Sequence, residues 1–214
     1  MNRISKGTFR LALMVALLAG IPGPAAGAQS ELKGLYKEPR INKRLFGDDL
    51  SMVNNERDEY ATNLAAYAVN QILLSSGDQE SLDNARKVLG LALHLSPRNK
   101  KCVVINAQLK RGIMPEKVIA DYDSDVFARL LLTRGKLLEK QQAEVNTLLA
   151  RYLIALSATI DPRNEDAIYE AEIRRIDNGD VDWTKLTDAK PAATDPAAVP
   201  GSATPVHRPP FRRP

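Results

Sequence analysis

The stretch Ala85-Arg86-Lys87-Val88-Leu89-Gly90-Leu91-Ala92-Leu93-His94-Leu95-Ser96-Pro97-Arg98-Asn99 is used twice. It returns 65 residues later as Ala150-Arg151-Tyr152-Leu153-Ile154-Ala155-Leu156-Ser157-Ala158-Thr159-Ile160-Asp161-Pro162-Arg163-Asn164. Both copies open on Ala-Arg and close on Pro-Arg-Asn, and they share Leu91 and Leu156. Most other positions swap like for like: Val88 with Leu153, Leu89 with Ile154, Leu95 with Ile160. A segment that keeps its apolar spacing and its terminator is one structural unit repeated. The proline ends a helix, because its ring and missing N–H cannot continue the ladder, and the asparagine two residues on is placed to cap the next helix.

Working outward, the chain reads as helices throughout, with no convincing strand. Leu64, Tyr67, Ala68, Gln71, Ile72 and Leu74 recur at three- and four-residue steps, the helical period. Asn54 or Asn55 is the expected cap of this first helix, with Glu56, Asp58 and Glu59 at its positive end. Gly77-Asp78 stops it. A second helix follows from Asp78 or Ser81 to Pro97, and a third runs from Lys100 to Arg111, closed by Gly112. After a connector (113–123), Ser124 or Asp125 caps a fourth helix over Val126–Lys140, a fifth runs from about Ala143 to Ile160, and Asn164 caps a sixth over Glu165–Asp177. The expected fold is therefore all-α: an array of helical hairpins, two copies of a three-helix unit.

Ala85, Leu89, Ala92 and Pro97, and again Ala150, Ile154, Ser157 and Pro162, carry a resemblance. This small, large, small, proline spacing resembles the second helix of the tetratricopeptide repeat, over roughly residues 57–178. The first helix of each pair departs from that family: its tryptophan, leucine-glycine and tyrosine pattern is not clearly present, and only Gly135 offers a stand-in. The resemblance implies a non-catalytic scaffold whose concave face, lined by the first helix of each pair, holds a protein or peptide. Mapped by spacing, that face carries Tyr67, Gln71, Arg129 and Lys136, with Lys101, Gln108, Arg111 and Tyr169 from the third helices.

The ends set the compartment. Arg3, Lys6 and Arg10 precede an apolar core, Leu11 to Ile21, then Pro22, Pro24 and Ala26-Gly27-Ala28. That is the pattern of a secretory signal peptide over 1–28, shorter than the roughly 20 apolar residues of a membrane span. The expectation is export to the periplasm or cell envelope of a Gram-negative-type bacterium, with no stable span after cleavage. Residues 29–53 read as a loosely ordered arm, pinned by Leu45-Phe46 on the first helix or free to dock a partner. The helical domain is set at 54–180, and 181–214 is a Pro/Ala-rich, disordered tail. Trp183 is expected to fold back over the open apolar end of the last helix. The segment 207–214, His-Arg-Pro-Pro-Phe-Arg-Arg-Pro, is basic and suits contact with an anionic surface or partner.

Charge excludes one class. The chain is net +4, but the leader holds three of the basic residues and no acid. From Lys185 onward there are five basic residues against two acidic. The body between is slightly acidic, without the basic face a folded nucleic-acid binder needs.

Catalytic chemistry is thin. Cys102 is the single cysteine, set in the apolar run Cys102-Val103-Val104-Ile105; it fits a buried small hydrophobe better than a free thiol or an intermolecular bridge. His94 sits opposite Thr159 in the repeat, which reads as surface or groove edge, and His207 lies in the tail. Asp121, Asp123 and Asp125 mimic the start of a calcium loop, but Val126 and Leu132 stand where that loop needs Gly and Glu. No catalytic residue, metal or cofactor is expected. Two functions remain: an exported scaffold for protein–protein interaction, and, as the alternative, an envelope enzyme accessory or carboxylate-based hydrolase of cell-wall turnover. The second requires a pocket with two converging carboxylates of raised pKa.

Overall fold

The computed structural model describes residues 32–188. The expected leader, residues 29–31 of the arm, and the tail from 189 with His207 lie outside the described residues. The described chain is helical: α1 (Asn54–Leu74), α2 (Gln79–Leu95), α3 (Lys100–Lys110), α4 (Ser124–Glu139), α5 (Glu144–Ile160), α6 (Glu165–Asn178) and the one-turn α7 (Thr184–Thr187). Extended pairing among the described residues is limited to a single bridge between Arg40 and Asp188. None of the described helices is long and apolar enough to cross a membrane.

The terminators act as the sequence predicts. Asn99 accepts from the Cys102 amide at 3.1 Å, and Asn164 accepts from the Ala167 amide at 3.1 Å. Asp78 caps α2 through the Ser81 amide at 2.8 Å. Past α3, Gly112 takes φ +73°, and the Ile113 amide reaches back to the Gln108 carbonyl. That left-handed turn favours a residue without Cβ. Two expected caps are corrected: α1 and α4 start one residue early, from extended Val53 and Asp123, neither making a side-chain capping bond. Asn54 and Ser124 are the first helical residues. The α1 stop also differs in detail, since the left-handed turn begins at Ser76 (φ 53°) before Gly77 (φ 68°).

The two halves each form a hairpin, α1 with α2 and α4 with α5, and a shorter third helix leans on each. The hairpins pack closely because small residues meet large ones. A Cβ on Gly135 of α4 would fall 2.6 Å from Cγ1 of Ile154 on α5. The third helices are held differently. Asn99, buried on α3, donates to Asp58 Oδ1 at 3.0 Å and Thr62 Oγ1 at 2.8 Å, which clamps α3 on α1. Cys102 lies fully buried beside it, its Sγ 3.3 Å from the Ala61 carbonyl, and burial pushes the thiol up to about 12. Helix α6 instead rests Ala167 against Leu132 and Ile154, with Lys136 and Glu139 of α4 paired to Glu170 and Arg174.

Helix α1 is the hub. Its apolar residues Ala61, Leu64, Ala65, Ala66, Ala68, Val69 and Ile72 are all buried, and together they cover a little more than half of the way around the axis. At 3.6 residues per turn, Asp58, Ala61 and Thr62 face α3, while Tyr60, Asn63 and Tyr67 lie on the opposite side. There Tyr60 meets Phe127 of α4, ring centroids 6.4 Å apart, and Glu56 pairs with Arg134. The connector after α3 carries the chain round to that side, where the Asp121 amide donates to Asn63 Oδ1 at 3.1 Å.

Three expectations at the margins are corrected. The described part of the arm, 32–53, is tied down along its length. The Gly34 amide donates to the Gly77 carbonyl, the Leu35 amide to Gln79, the Arg40 amide to Thr187 and the Ser51 amide to Asn146 on α5. The Arg57 guanidinium binds the carbonyls of Gly47, Leu50 and Met52. Phe46 is fully buried, edge-on to His94. His94 is therefore core, not surface: it accepts from the Leu45 amide at 3.0 Å and is 2 % exposed. Thr159, its repeat counterpart, is exposed, with no residue of 32–53 bonded to it among the described residues. The boundary at 180 also falls too early, because 181–188 belong to the body. Leu186 of α7 is fully buried, and a Cβ on Gly90 would lie 3.0 Å from its carbonyl oxygen. Arg86 holds Asp188 at 2.7 Å. Trp183 folds back onto Tyr152 of α5, with centroids 5.2 Å apart, where the sequence places it over the end of the last long helix.

Candidate functional site

Where α4 begins and α5 ends, the outer side of α1 is left open, and a trough forms along it. Glu56, Glu59, Tyr60 and Asn63 of α1 face Tyr122 and Phe127 across a cavity of about 230 Å³. A second, of about 340 Å³, is lined from Asn63 and Phe127 past Tyr67, Asn70 and Gln71 to Leu74, and walled by residues 117–120 and 122–124. A third, of about 320 Å³, shares Tyr67 and Gln71 and runs on between Val88 of α2, Leu156 of α5 and Trp183. From Glu56 to Leu74 the cavities follow 19 residues of α helix, a trough roughly 28 Å long.

Its lining is aromatic and amide-bearing. Tyr60, Tyr67, Tyr122 and Trp183 supply ring surface, with the buried Phe127 beneath, and Asn70, Gln71 and Asn84 supply amides. Such amides both donate and accept, as a peptide group does. Asn63 is already engaged: its Nδ2 donates to the Glu59 carbonyl and Asp121 Oδ2, so it braces the connector against α1. Burial pushes the Tyr60 hydroxyl up to about 12, with Glu56 adding to the effect, and burial also raises that of Tyr67. Both phenols therefore stay neutral at physiological pH. At the rim Leu74 is 79 % and Ile119 86 % exposed, an apolar lip on one side.

The charges along the α4 side are acidic. Arg134 takes Glu56 and Arg129 takes Asp125. No ion pair among the described residues involves Glu59, Asp121 or Asp123. Lys117 stands towards the Leu74 end.

The eight residues mapped by repeat spacing do not come together. Tyr67 and Gln71 each line two of the cavities. Lys101, Gln108 and Arg111 are on or just past α3, which packs on the far side of α1. Arg129 is exposed and paired to Asp125, Lys136 is paired to Glu170 at 2.5 Å, and Tyr169 is 65 % exposed on the outer face of α6. The sequence reading missed Tyr60, Tyr122, Phe127 and Trp183 as lining. Tyr60 carried a usable signal, standing seven residues, or two turns, before Tyr67.

The carboxylates that depart clearly from their ordinary range are all lowered. Asp78 is held down by the Ser81 amide, Glu170 by Lys136 and Arg174, Glu172 by Arg175, Asp182 by Thr184 and Asp188 by Arg86. Each cause is a partner that prefers the anion. No group of three or more potential metal ligands gathers among the described residues.

No family model, curated protein or solved structure matches this chain.

Proposed function

We propose that this chain is an exported binding protein of the bacterial cell envelope that holds an extended peptide segment of a partner protein in the trough over α1. The observation that carries this reading is that Tyr67 and Gln71, one turn apart on α1, line two cavities at once. An extended chain rises about 3.3 Å per residue, so roughly eight residues fill the length of the trough. Rings offer low-entropy contact for apolar side chains, and the amides suit the peptide groups between them. Export rests on the leader-like sequence 1–28, and it predicts a mature chain beginning at Gln29. The repeated Ala85–Asn99 unit supports a tetratricopeptide-like ancestry, with the binding surface moved to the side of α1 that faces α4.

Selection of a random peptide library on the mature protein tests the reading. Winners, measured by fluorescence anisotropy, bind at least tenfold more weakly to Tyr122→Ala and Gln71→Ala, and unchanged to Lys101→Ala and Tyr169→Ala. A library that yields no binder, or binders indifferent to Tyr122 and Gln71, overturns it.

A further inference from the structure

The α4 side of the trough has a specific chemistry: aromatic rings from Tyr60, Tyr67 and Tyr122 over the buried Phe127, with Glu59 and Asp123 in the lining not ion-paired among the described residues and Asp121, held by the Asn63 amide, beside them. Aromatic grooves of this kind favour proline-rich segments, whose rings stack on aromatic faces and whose extended backbone loses little entropy on binding. Acids without an ion pair among the described residues add a preference for arginine. The ligand class is therefore a short, basic, proline-rich peptide carrying an aromatic anchor.

The chain itself contains such a segment. His207-Arg208-Pro209-Pro210-Phe211-Arg212-Arg213-Pro214 has three arginines, three prolines and one phenylalanine, and no acid. Phe211 is the one Phe, Tyr or Trp after residue 188. We propose that residues 207–214 dock in the chain's own trough, between α1 and the α4 side, so that the site is self-occupied until a competing peptide displaces them. This rests on the reading of the trough as a peptide site.

Geometry permits it. Eight residues at about 3.1 Å each span roughly 25 Å, close to the length of the trough. The described chain leaves the body at Asp188, fixed by Arg86. The 18 residues from 189 to 206 reach up to about 56 Å when extended. A folded body of this size has a radius of gyration of about 15 Å, so the segment reaches any of its faces. Tethering at that length raises its local concentration to the order of millimolar, enough to fill a site of modest affinity without any partner.

Amide NMR of the ¹⁵N-labelled mature full chain tests this. The wild type is compared with one variant carrying Pro210→Ala, Phe211→Ala and Arg212→Ala. The expected result is a set of shift changes confined, beyond the substituted residues, to 59–71 and 117–127. A synthetic peptide of sequence 207–214, titrated into the variant, returns those amides towards wild-type positions, and 0.5 M salt weakens it severalfold. A library-selected peptide binds the variant severalfold more tightly than the wild type, because it no longer competes with the tethered segment. Superimposable spectra overturn the self-docking. If selected peptides bind wild type and variant equally and still need Tyr122, the trough remains a peptide site and the self-docking alone falls. A concentration-dependent doubling of mass that the variant lacks also overturns docking within one chain.

Discussion

Asn99 and Asn164 close the two copies of one motif, yet substituting them should cost different amounts. Asn99→Ala removes the cap on the Cys102 amide and, at a 4 % exposed position, the two side-chain bonds to Asp58 and Thr62. The cap is worth about 1 kcal/mol, and a part-buried bond to a charged carboxylate about 2 kcal/mol more. Among the described residues, Asp58 keeps the Ser96 hydroxyl. Asn164→Ala removes the cap on Ala167 alone, again about 1 kcal/mol. Urea unfolding of the mature protein should place the losses at about 3 and 1 kcal/mol with m unchanged, or near 9 and 3 °C in Tm. Asn99→Asp preserves the cap but sets a carboxylate beside Asp58, and should lose nearly as much as alanine. Equal losses at 99 and 164, or a greater loss at 164, would refute the clamp that distinguishes α3 from α6.

Other outcomes follow from the same structure. Burial holds the His94 imidazole below its ordinary range. The unfolded chain therefore takes up the proton first as pH falls; stability is fully present above the unfolded value near ~6.5 and drains as pH drops towards the folded value. Urea midpoints measured from pH 7.5 to 5 should fall more steeply for wild type than for His94→Gln. Gly135→Ala pushes a methyl against Ile154 and should cost about 1–3 kcal/mol, whereas Gly112→Ala meets no atom within 4 Å and should cost about 1 kcal/mol from its left-handed backbone alone; thermal melts of the two separate steric from conformational strain. Gly90→Val should displace Leu186 and α7 from α2, seen as faster proteolysis at Lys185. Cys102 should resist a thiol reagent in the native protein and react fully in denaturant, since it is buried and its thiol is held neutral.

What the sequence made legible was local. Pro97, Pro162, Asn99, Asn164 and Gly112 act within a few residues of themselves, so helix ends fell within a residue or two of their positions. The arm was not legible, because its order comes from distant partners: Gln79, His94, Asn146 and the Arg57 guanidinium. His94 was misread for the same reason. Comparison with Thr159 assumed equivalent surroundings, but the arm and α7 cover α2 and leave the Thr159 position open. The centrality of α1 was hidden by its own composition, since small and apolar residues spread around the helix leave a weak one-sided pattern. The trough was half legible: Tyr67 and Gln71 sit on a regular helix, whereas Tyr122 and its neighbours come from a connector without periodicity.

Site-specific photo-crosslinking of a library-selected peptide tests the trough most directly. A benzophenone side chain is placed in turn at positions 67, 122, 101 and 169 of the mature protein. Adducts at 67 and 122, with none at 101 or 169, are the predicted result. Adducts at 101 or 169, or at no position, would contradict a peptide site on the side of α1 that faces α4.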